Sequence, residues 1–176
     1  RISEHEIGQY ANDSARFEDH NELFYSLKSV AQNMPWVRKI FIVTNSALDL
    51  PEYLISEKIV VVEHKDIIAT QFLPTFNSHV IEANLHNIVD LSENFIYFND
   101  DVFVGRELAK EHFFQSNGIA SLFVSQKDLD KMYDKGTHTP TLLASLYSRD
   151  LLKEHFGCHV NQPLVHTYVP LKKSAY

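Results

Sequence analysis

The chain has 176 residues, 44% of them hydrophobic and 22% charged, which is enough for a sizeable core and unlike a disordered or collagen-like composition. A formal charge of −7 without any clustered run of Lys and Arg excludes a dedicated nucleic-acid surface, and no apolar run approaches the roughly 18 residues of a membrane span or forms a signal peptide. The single cysteine, Cys158, permits no internal disulfide, so it points to a reducing compartment and to a buried apolar thiol.

In chain order, NELFYSLKSVAQN places Leu23, Leu27, Val30 and Ala31 at helical spacing, with Asn21 or Asp19 as cap and Pro35 beyond the end. The β-branched runs KIFIVT (39 to 44) and KIVVVEH (58 to 64) follow, and they read as buried parallel strands. SHVIEANLHNIVDL sets Val80, Ile81, Leu85 and Ile88 on one helical face with Ser78 as N-cap, and FIYF (95 to 98) is the next strand. IASLFVS (119 to 125) reads as another strand, and TLLASLYSRDLLKEHFG as a helix stopped by Gly157. This alternation predicts one α/β domain over residues 1–176: a mostly parallel sheet with helices on both faces and FIYF central. The chain begins at Arg1 rather than Met and reads as part of a longer polypeptide.

In such sheets ligands gather outside the carboxyl ends of the strands, and FIYF delivers Asn99, Asp100 and Asp101 there. Adjacent carboxylates repel unless a cation lies beside them, and a hard divalent ion completed by phosphate oxygens and water is the natural partner. Taken alone, the tripeptide reads as a solvated turn before it reads as a metal site. Glu82 and His86 form an i, i+4 pair near a helix start, either as a polar surface or as part of a site. Arg16, Glu18 and Asp19 read first as helix-capping charges, and Arg38 as a surface residue able to pair with phosphate. His64 and His166, taken singly, are packed or exposed histidines, although imidazole is the best-tuned proton acceptor at neutral pH.

Six blocks, RFEDHNELFYSLKSV, PWVRKIFIVTN, VVVEHKDI, LPTFNSHVIEANLH, LSENFIYFNDDVF and LVHTYVPLKKS, run in this order from Arg16 to Ser174. Together they resemble the Stealth family of sugar-phosphate transferases, which contains bacterial capsule and cell-wall polysaccharide phosphotransferases and is similar to the catalytic subunit of lysosomal N-acetylglucosamine-1-phosphotransferase. The resemblance implies a Rossmann-like, GT-A-like architecture for binding a nucleotide sugar. It also implies transfer of a hexose 1-phosphate from a nucleotide diphosphate sugar to a sugar or polysaccharide hydroxyl, in the cytoplasm or peripherally at the inner face of the membrane. Asp100 and Asp101 would hold Mg2+ or Mn2+ on the donor pyrophosphate, with Asp101, Glu82 and His166 as the catalytic set and His166 taking the acceptor proton. Arg16, Asp19, Lys28, Arg38, Asn77, His86 and Lys172 would bind substrate.

The chain departs from the family pattern at Phe24 and Lys28, where the family usually has arginine, and in LHNIVDLSE. The family's N-terminal acidic segment is also missing from these 176 residues. Two rival classes share these features: a metal-dependent glycosyltransferase, which breaks the sugar C1–O bond instead of a P–O bond, and a non-catalytic sugar-nucleotide-binding module.

Overall fold

A computed structural model describes residues 20–46, 56–136 and 138–176. The chain divides into two compact units, a larger one comprising Asn21–Ser121 with Thr167–Tyr176, and a smaller one built on Leu122–His166.

The larger unit opens with helix α1 (Glu22–Asn33), which is followed by Pro35 as its sequence predicts. Val30 points inward as its spacing predicts and Ser26 joins it there, while Leu23 and Leu27 are half-buried and Ala31 is exposed. Hydrogen bonding supplies the reason. Ser26 Oγ donates to the Val102 carbonyl at 2.7 Å, Ser29 Oγ accepts from Val104 N at 2.9 Å, and Asn33 Nδ2 donates to the Val104 carbonyl at 2.6 Å. A polar stripe at i, i+3 and i+7 thus satisfies the extended chain from Val102 to Val104, which has no strand partner there and would otherwise bury orphaned backbone groups.

Strands β1 (Ile40–Thr44) and β2 (Ile59–Glu63) pair in parallel, Ile40 with Ile59 through Thr44 with Glu63. Helix α2 (His64–Ile67) follows β2 directly behind a capping box of Glu63 and Asp66. Helix α3 (Ser78–Ala83) is short and breaks into a 3-10 turn at Leu85–Asn87. Its N-cap is Asn77 and not Ser78 as the sequence suggested: the Asn77 side chain accepts from His79 N at 3.0 Å, the geometry an Asn in extended conformation provides.

Strand β3 (Asn94–Tyr97) corrects the expected sheet. Among the described residues it pairs antiparallel with β4 (Val169–Lys172), Phe95 opposite Leu171 and Tyr97 opposite Val169, and no ladder joins it to the parallel pair. One of the two described ladders is parallel and one antiparallel, so "mostly parallel" does not describe them, nor is FIYF a central parallel strand. Helices do cover both strand faces. Ile40, Ile96 and Phe98 pack with Val30 and Met34 of the α1 region, whereas Phe41, Val43, Phe95 and Tyr97 pack with Ile67, Ile68, Leu85 and Ile88. The period-two alternation of β1 and β3 serves two cores at once, whereas β2 gives Val60 and Val62 to one core and leaves Val61 exposed.

The expected strand 119–125 does not form. It straddles the boundary between the units: Ala120 bridges to Phe114 within the larger, and Val124 bridges to Leu164 within the smaller. The smaller unit then carries helices α4 (Leu129–Asp134) and α5 (Pro140–Phe156), with Gly157 at φ 66° closing α5 as a left-handed C-cap. Cys158, expected to be buried, is exposed just past this cap. Among the described residues no helix is long and apolar enough to cross a membrane.

Candidate active site

The carboxyl end of β3 gathers the chemistry. Its apolar run ends at Tyr97, whose phenol proton is shared between Asn99 Oδ1 at 2.6 Å and Glu82 Oε1 of α3 at 3.2 Å. Tyr97 and Asn99 lie two residues apart, so an extended chain presents both to one side. Beyond them Asp100 and Asp101 form an exposed turn, closed by the Val102 amide donating to the Asn99 carbonyl at 3.2 Å. Val102 and Val104 are buried immediately after it, at 7% and 3% exposure, so the two carboxylates stand on a turn held at both ends.

The electrostatics report one negative locus. Burial first, then the Glu82 carboxylate through charge and hydrogen bond, and then Asp100, push the Tyr97 phenol far above its usual range. Burial and Glu82 likewise raise the Tyr176 phenol. Tyr176 stacks on His86 with centroids 5.3 Å apart and planes at 25°, and it also touches Phe95. His86 Nδ1 is buried without a hydrogen-bond partner.

The other predicted residues fall as follows. Lys28 and Arg38 are exposed, on α1 and ahead of β1, and the indole of Trp36 is engaged elsewhere, donating to the Leu108 carbonyl at 2.6 Å. Asn77 is occupied as a helix cap. Lys172 lies opposite Asn94 at the amino end of β3, the end away from the acidic turn, with its ammonium over Gly118. Lys173 donates to the Ile88 carbonyl at 3.2 Å. His64 is buried, its Nδ1 unpartnered and its pKa pushed down by burial. Arg16 and Asp19 lie outside the described residues. His166 ends the smaller unit, exposed, on the wall of a cavity of about 280 Å3 within that unit.

The structure therefore brings Glu82 and Asn99 together on the Tyr97 hydroxyl, with Asp100 and Asp101 following in the turn. Sequence reasoning missed Tyr97 and Tyr176. Tyr97 was hidden inside an apolar run, but its place two residues before Asn99 on one strand face was the available signal.

The donor set suits a hard divalent cation. Its oxygens are carboxylate and amide oxygens, the ligands Mg2+ and Mn2+ take. Among the described residues no three His, Cys, Asp or Glu side chains form a ready-made metal cluster. A cation here would complete its shell with phosphate oxygens and water, which is the usual habit of magnesium.

Residues 16–122, which include this acidic turn, match the family model described as Stealth protein CR2, conserved region 2. The chain belongs to the Stealth family. It is 62% identical over 170 residues to a capsular polysaccharide phosphotransferase of Actinobacillus pleuropneumoniae, an alignment covering 95% of this chain and 45% of the relative. It is 60% identical over 171 residues to another of that name from Haemophilus influenzae, covering 95% and 46%. An exopolysaccharide phosphotransferase of Streptomyces coelicolor is 43% identical over 166 residues, covering 93% and 17%. This Stealth chain thus spans slightly under half the length of the capsular relatives. Its matched region holds Glu82, Asp100 and Asp101 but ends before His166 and Lys172.

Proposed function

We propose that the protein carrying this chain transfers a hexose 1-phosphate from a nucleotide diphosphate sugar to a sugar hydroxyl in capsule or exopolysaccharide synthesis. The acceptor oxygen attacks the phosphorus bearing the sugar, a new P–O bond forms, and the bridging P–O bond of the pyrophosphate breaks. The products are a phosphodiester and a nucleoside monophosphate, which leaves with the bond's electron pair. The observation that carries this reading is the hydrogen-bonded set Glu82–Tyr97–Asn99 at the end of β3, immediately before the exposed Asp100–Asp101 turn, in a chain whose relatives are named phosphotransferases.

Asp100 and Asp101 are the residues to hold Mg2+ or Mn2+, which when bound neutralises charge developing on the departing phosphate. Tyr97 fixes the Glu82 carboxylate toward the same locus. His166 takes the hydroxyl proton onto a ring nitrogen, and Lys28, Arg38 and His86 contribute donor contacts.

The test is to incubate the full-length protein with a panel of nucleotide sugars, magnesium and saccharide acceptors. Release of nucleoside monophosphate together with a phosphodiester product is the expected result. Release of nucleoside diphosphate with a glycosidic product would replace this reading with a glycosyltransferase, and binding without turnover would replace it with a binding module.

A further inference from the structure

The cavity beside His166 is assembled from four pieces of the smaller unit. Leu129 and Met132 of α4, Leu142 and Ser145 of α5, the chain at Ser125–Lys127 and the chain at Pro163–His166 all line it. Its walls are tied together. Ser125 N donates to the Pro163 carbonyl at 2.8 Å and Val165 N to the Phe123 carbonyl at 3.0 Å. Arg149, on the same face of α5 as Leu142 and Ser145, donates to Asp130 at 2.7 Å and to Asn161 at 2.9 Å. The floor is aliphatic.

Three hydroxyls around that floor are half-used, two as acceptors and one as a donor. Ser125 Oγ accepts from the Lys127 amide at 3.0 Å and Thr139 Oγ1 from the Leu142 amide at 3.2 Å, so both keep a proton to donate. Ser145 Oγ donates to the Thr141 carbonyl at 2.9 Å, so it keeps lone pairs to accept. Among the described residues no carboxylate lines the cavity, and Lys127 and His166 stand on its wall. A volume of about 280 Å3 is at the small end of ligand sites and suits a single ring.

We propose that this cavity is the subsite for the acceptor sugar, holding one pyranose ring with its C–H face on the aliphatic floor, its hydroxyls on Ser125, Thr139 and Ser145, and an anionic neighbouring linkage on Lys127. The proposal rests on the transferase reading above and extends it. A pyranose presents an apolar face edged by groups that both donate and accept, and the free protons and lone pairs here are mixed to match. Lys127 on the wall favours an anionic substituent such as a phosphodiester. The reacting hydroxyl then sits beside His166, on the same wall.

The experiment uses the full-length protein with methyl hexosides and the corresponding methyl hexosyl phosphodiesters as acceptors. Ser145→Leu fills the cavity and removes an acceptor, so the acceptor KM should rise by roughly tenfold or more while the donor KM and the slow release of nucleoside monophosphate to water stay unchanged. Lys127→Met, an exposed change, should lower the preference for the phosphodiester acceptors over the neutral ones several-fold. Wild-type acceptor KM and preference in both variants, with folding verified by melting, would overturn the subsite. If Ser145→Leu does not fold, Lys127→Met alone decides. If the wild-type protein releases no nucleoside monophosphate from any donor, the transferase reading fails by itself. The cavity is then judged by saccharide titration monitored by NMR, where loss of binding in Lys127→Met supports the subsite and unaltered or absent binding removes it.

Discussion

At the scale of single residues, the acidic turn and Tyr97 divide the work. Asp100 and Asp101 are exposed and fill no core volume, so Asp100→Asn and Asp101→Asn should each abolish most transfer while leaving the melting temperature within about 2 °C of wild type, the small stability change expected of surface substitutions. Full activity in excess chelator would end the assignment of a metal to this pair. Tyr97 makes a different prediction. An acid whose folded pKa is raised binds its proton more tightly when folded, so stability is intact below the unfolded value near 10 and falls as pH climbs beyond it. Alkaline denaturation curves should therefore be shallower in Tyr97→Phe than in wild type above about pH 10, and parallel curves would show that burial and Glu82 do not raise the Tyr97 phenol. At neutral pH the same variant leaves Glu82 and Asn99 without their donor, which costs about 1–3 kcal/mol. The sequence made Asn99, Asp100 and Asp101 legible both as a turn and as a cation site, and the turn is what the chain forms. The phenol joining them to α3 was not legible, because an aromatic within an apolar run counts as core until its hydroxyl's neighbours are known.

Elements were legible where local pattern decides them and obscure where distant backbone does. The α1, β1, β2 and α5 segments were predicted within a residue or two, since apolar spacing, Pro35 and Gly157 mark them from within. Val30 of α1 is buried as its spacing predicts, but the burial of Ser26 beside it was missed, because the polar residues of this helix serve a segment some seventy positions away. That stripe also fixes the chain leaving the acidic turn, so its removal should be felt at the site. Asn33→Ala and Ser26→Ala are each expected to cost about 1–2 kcal/mol by leaving a carbonyl of the 102–104 segment without its donor. Amide exchange at Val102 and Val104 should accelerate in both variants, and unchanged protection there would show that α1 does not hold the turn. The β3–β4 pairing was missed for a related reason. Val169–Lys172 is only four residues long and carries a proline, too short a run to announce a strand without its partner.

At the scale of the whole molecule, the proposed machinery is distributed. Glu82, Asp100 and Asp101 stand in the larger unit, and His166 is the last residue of the smaller one, just before the chain returns to the larger unit at Thr167. The alternation of elements revealed an α/β chain with helices on both strand faces, but it gave no sign of this division, because the boundary falls inside a run of residues that reads as one strand. Separation of roles along the chain makes the kinetic contributions separable too. On the proposed function, residues of the larger unit would serve donor and metal, so their variants should move donor KM and metal dependence. His166, with the cavity beside it, would serve the acceptor. His166→Ala should lower kcat by roughly 10²–10⁴-fold, the range general acid–base catalysis supplies, with donor affinity little changed. A merely structural histidine would instead lower the melting temperature, and wild-type kcat in a folded His166→Ala protein would remove the residue from the reaction.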